Sequence, residues 1–360
     1  MRLNRGFDWV MFGCVILLLS VSCAVLFSAI LRGGANLRDF WAQLIFAAVG
    51  LSLLFSLTFV DYKVFRNLSK LIYWLAVILL IFVSVMGHTV LGATRWINLG
   101  FFTLQPSEIA KVSLIFILAR TFTQQTSEFL KPFLTSIWYT GLLIFLVSTQ
   151  PDVGTASVLF IIWLAMVFIW GLRFRWFLAM AGAVLILVPL AWTMLAPYQK
   201  ARVTSFLEPE KDLLGAGYNV VQAKIAVGSG GLFGRGLGKG PQSQLNFLPV
   251  QNTDFIFAAV AEGLGFLGAM LVLLLFGILI LRTIRAGYLA RDSFGMLVAS
   301  GVAAFLLWQV FVNIGMNLGI MPVTGIPLPL VSYGGSAIMT TLAAIGVLQS
   351  IAMRHKSISF

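Results

Sequence analysis

The sequence predicts an all-α, polytopic integral membrane protein with about ten membrane-spanning helices, and three observations support this fold class. Hydrophobic residues make up 60% of the 360 residues and charged residues only 10%, whereas soluble domains are about half apolar and a quarter charged. Apolar runs long enough to cross a bilayer core of about 30 Å recur along the whole chain. Lysine and arginine residues in the short connections also concentrate on one of the two predicted sides.

Apolar runs bounded by charge, glycine and proline place the individual spans. The fifth run is short, so nine spans or a re-entrant segment remain alternatives. The first run is longer than the apolar core of a signal peptide and lacks a cleavage motif, so we expect an uncleaved first span. The predicted spans cover residues 9–31, 41–60, 70–88, 106–121, 135–149, 153–171, 176–195, 254–281, 294–317 and 334–353.

The basic residues predict the orientation. If the N-terminus is cytoplasmic, the inner connections hold most of the lysine and arginine residues, whereas the short outer connections hold only Arg32, Arg38 and Arg95. Basic residues resist translocation, so we expect both termini in the cytoplasm. The net charge of +12 comes from scattered residues and not from a basic domain, which argues against a nucleic-acid partner.

Two segments stand out from the regular spans within a single membrane domain, 1–360. The connection 196–253 is predicted to lie outside the cytoplasm, between spans 7 and 8, and is too rich in apolar residues such as Val220 and Leu245 to be disordered. We expect it to pack on the membrane surface. Segment 319–335 contains three prolines, which exclude a regular helix, and we expect it to help wall a cavity.

Several kinds of chemistry are disfavoured by residue content. Cys14 and Cys23 lie in one apolar run, and the only histidines are His88 and His355. A disulfide framework, a histidine metal cluster and a Ser-His-Asp triad are therefore not indicated.

A glycine-dense stretch, Gly228–Gly240, suggests a phosphate-binding loop but does not match that motif. Phe233 and Gly240 occupy positions where the motif needs glycine and a hydroxyl residue. A turn-rich surface loop is the favoured interpretation, with close approach to a ligand as the alternative.

Two aspartates are candidates for function near the predicted outer membrane surface. Asp254 ends the long connection and Asp152 precedes the sixth span. Each can instead be a simple helix cap, favoured by the free N–H groups and dipole of a helix start.

Three further candidates have equally plain alternatives. Glu108 and Lys111 are spaced to share one helix face and neutralise each other, but ionisable groups within a span are costly and are often functional. Arg95, beside a tryptophan, is either an interfacial anchor or a phosphate clamp.

Taken together, the motifs resemble those of the SEDS family (shape, elongation, division and sporulation) over nearly the whole chain. The segment Gln242–Pro249 is more similar to the elongation branch of the family than to the cell-division branch. One departure is Val250 and Asn252, where the family often has glutamate and histidine. The matching segments are Gly92–Leu99, Gln105–Lys111, Gln150–Gly154, Gln222–Gly231, Thr253–Phe257 and Pro327–Gly335.

The resemblance implies a peptidoglycan glycosyltransferase of the bacterial inner (plasma) membrane that polymerises lipid II during cell elongation. It also implies a class B penicillin-binding protein as partner. Asp254 would be the general base, with Arg95, a divalent cation (magnesium or manganese) and, more weakly, Lys224 and Arg202 near the leaving diphosphate. Asp254 is also a possible cation ligand, whereas Asp152, Glu108 and Lys111 would bind substrate or shape the cavity.

Two other functions remain open at this level. A lipid II flippase needs polar groups along the membrane depth and at both faces, whereas the unusual polar residues here gather near the predicted outer ends. A scaffold that only recruits the penicillin-binding protein would use the same long connection as its contact surface.

Overall fold

The computed structural model describes residues 6–30, 37–90, 93–98, 100, 103–124, 129–172, 175, 176, 178, 182, 200, 204–208, 216–244 and 252–354. The helices are α1 (Trp9–Ile30), α2 (Leu37–Phe59), α3 (Lys63–Met86), α4 (Pro106–Thr123), α5 (Leu130–Thr149), α6 (Val153–Trp170), α7 (Ala216–Ser229), α8 (Pro241–Gln244), α9 (Ile256–Tyr288), α10 (Ser293–Asn317) and α11 (Gly335–Met353).

Eight of these helices are long and apolar enough to cross a membrane, namely α1, α2, α3, α5, α6, α9, α10 and α11. This confirms the predicted class of helical membrane protein. The fourth predicted span coincides with α4, which carries Glu108, Lys111 and Arg120 and is less apolar. Nearly all of the predicted span 176–195 lies outside the described residues, so the count of ten stays a prediction, as do the single domain and the outer location of 196–253.

Several helices extend beyond the predicted spans. α3 begins at Lys63 instead of residue 70, α5 begins at Leu130 instead of 135, and α9 continues to Tyr288 instead of 281. Hydropathy changes where the side chains leave the lipid, whereas the helical hydrogen bonds continue into the polar interface. The apolar runs therefore underestimate helix length at these ends.

Three short strands between α3 and α4 were not predicted. β1 (His88–Val90), β2 (Ala93–Asn98) and β3 (Thr103–Leu104) form an antiparallel sheet in the order β1-β2-β3. Strands this short give too few residues for an alternating pattern to be recognised. Arg95 lies on the central strand of this sheet.

The centre of the bundle is formed by α4, α10 and α11. In an apolar stretch of 18 residues, 72% of α10 and 67% of α11 is buried inside the protein, against 28% of α5. α4 packs against α3, α5, α6 and α10, and most of its side chains are buried. A helix enclosed by other helices needs no lipid-facing surface, which explains how α4 accommodates its charges.

The described part of the long connection folds onto the bundle. Ala223 and Ala226 of α7 pack against Phe255 and Ala258 at the start of α9. Val220 is buried as its apolar character predicts, while Leu245 lies outside the described residues. Within the bundle, α7 contacts α9 and α10.

The glycine-rich stretch supplies hydrogen bonds to a break in α9. Gly265 has φ 71°, which interrupts the helix. Around this break, residues 231–236 and 262–267 exchange four main-chain hydrogen bonds of 2.8 to 3.2 Å. A Cβ atom at Gly234 would overlap the main chain of Gly263. The surface-loop interpretation is thus confirmed, and the glycines allow a close approach to α9.

The segment between α10 and α11 is irregular, as its prolines predict. Residues 318–334 contain no regular helix or strand. Gly319 and Gly325 have φ values of +70° and +75°, a conformation that favours glycine. This segment turns back beside the start of α9 and brings its main chain to Asp254.

Candidate functional site

Asp254 lies in the turn before α9, and two side chains of α10 hold its main-chain oxygen. Asn313 Nδ2 and Asn317 Nδ2 each donate to this oxygen at 3.1 Å. Asn317 Oδ1 also accepts from the Ala258 N–H at 3.0 Å. Both asparagines are fully buried. The main chain at Asp254 is therefore fixed, while its side chain is only half-buried.

The same turn is tied to the irregular segment 318–334. Ser332 Oγ donates to the Thr253 carbonyl at 2.6 Å, and the Tyr333 N–H donates to the Asn252 carbonyl at 2.9 Å. Each residue preceding Asp254 in this turn thus has its own link to the segment. The two pieces of chain form one unit.

Gly325 lies beside the Asp254 carboxylate. A Cβ atom built on Gly325 would be 3.7 Å from Asp254 Oδ2, so any side chain there would stand next to the carboxylate. Asn313 reaches the same place, because its Nδ2 donates to the Ile326 carbonyl at 2.8 Å. A single buried amide therefore connects the Asp254 turn to the main chain next to Gly325.

Lys224 belongs to α7 and lies near this unit. Its side chain is largely exposed and crosses Gly319, where a Cβ atom would overlap it. Gly319 comes two residues after Asn317, which holds the Asp254 turn. Lys224 therefore places an ammonium group beside the segment that supports the carboxylate.

Arg95 is held by the turn that precedes α6. Its Nη1 lies 3.6 Å from Asp152 Oδ1, its Nε donates to the Gln150 carbonyl at 3.0 Å, and its Nη2 donates to the Pro151 carbonyl. Asp152 also caps α6, accepting from the Thr155 N–H at 3.1 Å and its hydroxyl at 2.8 Å. The helix-cap interpretation of Asp152 is confirmed, and the donors of Arg95 serve contacts within the protein.

The turn at Asp152 also reaches the Asp254 region. A Cβ atom on Gly154 would be only 2.8 Å from the Thr324 carbonyl oxygen and 2.9 Å from the Ile326 side chain. The start of α6 therefore packs directly on the irregular segment that borders Asp254. The structure brings the Arg95–Asp152 pair to the same end of the bundle as Asp254.

Glu108 and Lys111 form a buried ion pair inside the bundle. Lys111 Nζ lies 2.8 Å from Glu108 Oε2, with side chains only 2% and 3% exposed, and 5.7 Å from the centre of the Phe305 ring. The predicted mutual neutralisation is confirmed. Phe305 precedes Asn313 by about 12 Å along α10, so this pair lies deeper in the bundle than the Asp254 turn. A role in positioning substrate stays a prediction.

Three residues of this region were missed at the level of sequence. Asn313, Asn317 and Glu262 are polar residues within apolar spans, and this fact alone marks them as candidates. Glu262 is fully buried, and its Oε1 accepts from the Gln242 N–H at 2.9 Å, which fixes α8 to α9. Arg202 lies outside the described residues, so its predicted role stays a prediction.

The described residues around Asp254 could hold a cation only if substrate or water supplied most of its ligands. Within the described ranges, no three histidine, cysteine or acidic residues gather closely enough to hold a metal ion. Mg²⁺ commonly binds through one or two carboxylates together with substrate phosphates and water. A half-buried carboxylate beside Gly325 has the right chemistry for such a shared ion.

The Tyr333 hydroxyl is influenced by the charges of Asp39 and Arg38 in α2. Burial raises the pKa of Tyr333 above its ordinary value, and the Asp39 carboxylate adds to the rise, while Arg38 opposes it. The side chain therefore stays protonated at neutral pH and can donate a hydrogen bond.

The sequence matches known proteins over almost its full length. A family model described as a cell cycle protein and designated FTSW_RODA_SPOVE matches residues 7–357. The peptidoglycan glycosyltransferase MrdB of Escherichia coli (strain K12) is 41% identical over 317 residues, 87% of this chain and 85% of that protein. The peptidoglycan glycosyltransferase RodA of Treponema pallidum (strain Nichols) is 34% identical, covering 97% of this chain and 98% of that protein.

Solved structures show the same fold. A chain of a peptidoglycan synthase complex, in which polymerization and crosslinking are coordinated, superposes with a TM-score of 0.84 and 31% identity, over 96% of this chain and 97% of that chain. The rod shape determining protein RodA of Thermus thermophilus superposes with a TM-score of 0.73 and 29% identity, over 98% of both chains.

Proposed function

Since the chain belongs to the FtsW, RodA and SpoVE family of cell cycle proteins, we propose that it is a peptidoglycan glycosyltransferase that polymerises lipid II into glycan strands. Relatives 34% and 41% identical to it are named for peptidoglycan glycosyl transfer. Family membership confirms the resemblance inferred from the motifs. The particular substrate and the roles of individual residues belong to the proposal.

In the proposed reaction, the C4 hydroxyl of an acceptor sugar attacks the anomeric carbon of the lipid-linked donor strand. The Asp254 carboxylate takes the hydroxyl proton as the new C–O bond forms. The bond from the anomeric carbon to the diphosphate oxygen breaks with inversion, and undecaprenyl diphosphate leaves with the electron pair. General base catalysis of this kind contributes about 10² to 10⁴-fold.

The observation that carries the proposal is a half-buried carboxylate on a firmly held main chain. Asn313 and Asn317 fix the Asp254 carbonyl, and Gly325 leaves the space next to the carboxylate free of a side chain. A base must be held within a narrow range of positions to act on a bound hydroxyl. The N-cap position of α9 is Phe255 and not Asp254.

Lys224 is the stronger candidate for contact with the leaving diphosphate. Its side chain is exposed beside the Asp254 support, whereas the Arg95 guanidinium contacts Asp152 and the carbonyls of Gln150 and Pro151. Positive charge near the leaving group stabilises the transition state. Arg95 then acts by holding the start of α6.

A divalent cation, magnesium or manganese, is part of the proposal. As an alternative to acting as the base, Asp254 would hold it together with phosphate oxygens of the substrate. In either case the bound ion would supply positive charge to the departing diphosphate. Added chelator should abolish polymerisation, and Mn²⁺ or Mg²⁺ in excess should restore it. Full activity in chelator, after removal of tightly bound metal, would contradict this part.

We further propose that the enzyme acts in cell elongation with a class B penicillin-binding protein. The solved relative that belongs to a peptidoglycan synthase complex supports a crosslinking partner. The division branch remains the alternative, since proteins named FtsW are also similar to this chain. In a rod-shaped bacterium, this chain would replace first the native elongation polymerase and then the native division polymerase. The replacement that restores growth would separate the two roles.

The decisive experiment measures glycan strands made from purified lipid II by the chain with its penicillin-binding partner and divalent cation. Asp254→Asn should reduce strand synthesis at least 100-fold, in line with loss of a general base. Asp292→Asn is the matched control, because Asp292 caps α10 at the opposite end of the bundle and asparagine caps equally well.

Each outcome has a distinct meaning. Loss of strands only in a folded, partner-binding Asp254→Asn chain supports the polymerase. Equal synthesis by this variant and the wild type would remove Asp254 as the base. Absence of strands from the wild type, combined with movement of lipid II across vesicle membranes, would favour the flippase. Absence of strands combined with a higher activity of the penicillin-binding partner would favour the scaffold.

The orientation is tested by labelling. Lys70 in the second turn of α3 and Phe233 in the glycine-rich stretch are both exposed. In a chain lacking Cys14 and Cys23, an impermeant thiol reagent added to intact cells should label Phe233→Cys and not Lys70→Cys. The reverse pattern would place both termini outside the cytoplasm.

A further inference from the structure

A small cavity of about 190 Å³ opens at the end of the bundle opposite to Asp254. It lies between the residues that precede α1, the last turns of α9 and the end of α11. Its charged lining residues are Asp8, Arg282 and Arg285, and the small side chains of Ala286 and Ala352 leave the space open. None of these residues takes part in the proposed glycosyl transfer.

The wall formed by Asp8 is rigidly held. The Asp8 N–H donates to Gln349 Oε1 and Gln349 Nε2 donates back to the Asp8 carbonyl, both at 2.9 Å. Asp8 Oδ1 accepts from the Met11 N–H at 2.9 Å, which caps α1. Asp8 Oδ2 accepts from Arg282 Nε at 2.7 Å. The cavity is therefore formed before any ligand arrives.

The length of α9 indicates where the cavity would lie relative to a membrane. From Gly265, where α9 is interrupted, to Arg285 the helix rises about 30 Å, at about 1.5 Å per residue. This is the thickness of the hydrocarbon core of a bilayer, about 30 Å. If Gly265 is near one membrane surface, Arg285 is at the other.

The charge of the cavity favours an anion. Asp8 neutralises one of the two arginines, which leaves one net positive charge. Arg282 uses only Nε in its contact with Asp8, and Arg285 is exposed, with no partner for its guanidinium in the part of the chain that the structure describes. Arginine presents forked donors that match a phosphate.

We propose that this cavity binds the phosphate of an anionic phospholipid in the leaflet opposite to the Asp254 site. Basic pockets between membrane helices are suited to such headgroups. Leu274 and Leu281 are 56% and 66% exposed on α9, and Leu281 lies one turn before Arg285 on the same helix face. A lipid whose phosphate sits on Arg285 has this apolar strip available for an acyl chain.

Retention of phosphatidylglycerol by the purified full-length chain tests the proposal. Binding from mixed micelles, followed by native mass spectrometry, should be about fivefold weaker for Arg285→Gln, since one arginine near anionic lipid contributes about that factor. Arg285→Lys should retain most of the binding. Lys70→Gln is the matched control, because Lys70 is an exposed basic residue at the same end of the bundle, outside the cavity.

The results distinguish a specific site from general charge attraction. Selective weakening by Arg285→Gln, with unchanged thermal unfolding and unchanged binding of zwitterionic phosphatidylcholine, supports the lipid site. Equal weakening by Lys70→Gln would overturn it in favour of a diffuse charge effect. Complete displacement of the lipid by millimolar inorganic phosphate would assign the cavity to soluble phosphate instead.

Discussion

Asn313 Nδ2 donates to the main-chain oxygens of both Asp254 and Ile326, at 3.1 and 2.8 Å. These oxygens belong to two segments that are distant in sequence, the turn before α9 and the irregular segment after α10. A fully buried amide thus sets the separation between the proposed base and the main chain beside it. Its removal should affect both stability and catalysis.

We predict that Asn313→Ala lowers the free energy of unfolding by about 1 to 3 kcal/mol, because the buried Ile326 carbonyl loses this donor and the Asp254 carbonyl keeps that of Asn317. The rate of strand synthesis at saturating lipid II should fall, since the Asp254 carboxylate loses its position. Thermal unfolding in detergent and steady-state polymerisation measure the two effects. Ser300→Ala is the control, because among the described residues the Ser300 hydroxyl bonds just the Met296 carbonyl of its own helix. A stability loss with an unchanged rate would show that Asn313 serves folding alone.

The Arg95–Asp152 pair should behave as a structural unit. Its side chains are 12% and 4% exposed, so Arg95→Gln alone should destabilise the protein by about 3 kcal/mol by leaving a buried carboxylate unpaired. Combination with Asp152→Asn should cost less than the sum of the two single changes. A double-mutant cycle of unfolding free energies measures this coupling.

The same variants test the alternative role of Arg95 as a phosphate clamp. A clamp predicts that Arg95→Gln raises the KM for lipid II even in the Asp152→Asn background. A structural role predicts no further rise in that background. The KM of the double variant therefore decides between the two.

Glu108 and Lys111 should show a stronger form of this coupling, because both side chains are almost completely buried. Glu108→Gln should destabilise the protein by about 3 to 5 kcal/mol, since it leaves the Lys111 charge unpaired. Adding Lys111→Met should recover most of that loss. Normal polymerisation by the stable double variant would restrict the pair to holding the fold, whereas continued inactivity would indicate a role in positioning substrate.

Gly325→Ala should impair catalysis more than stability alone explains. The residue has φ +75°, and the new methyl group would lie 3.7 Å from Asp254 Oδ2. Gly171→Ala provides the control, because Gly171 has φ +104° and a Cβ atom there would have no described residue within 4 Å. Both changes should cost about 1 kcal/mol or more in backbone strain. Only Gly325→Ala should slow strand synthesis. Equal rates of strand synthesis for the two variants would exclude crowding of the carboxylate.

Local patterns in the sequence were enough to predict some contacts of the site. The spacing of Glu108 and Lys111 predicted their pairing, because residues three apart share a helix face. The position of Asp152 before the sixth span gave a helix cap as one of two interpretations, and the structure has this cap at the start of α6. In each case the partners lie within one helical turn, so local geometry determines the contact.

Contacts between distant segments could not be predicted in this way. The pairing of Arg95 with Asp152 depends on an unpredicted sheet, and the link from Asn313 to Asp254 depends on how α10 packs beside α9. No periodicity in one sequence encodes such packing. The polar character of Asn313 and Asn317 within an apolar span was the available signal, and it indicates importance without naming a partner.

The break at Gly265 has a consequence for the biogenesis of the protein. The carbonyl and N–H groups that α9 leaves unpaired there are satisfied by residues 231–236, which a ribosome synthesises before α9 itself. Unpaired main-chain groups are costly in lipid. The glycine-rich stretch has therefore already been synthesised when α9 is inserted. Its main-chain groups are then available to pair with those at the break.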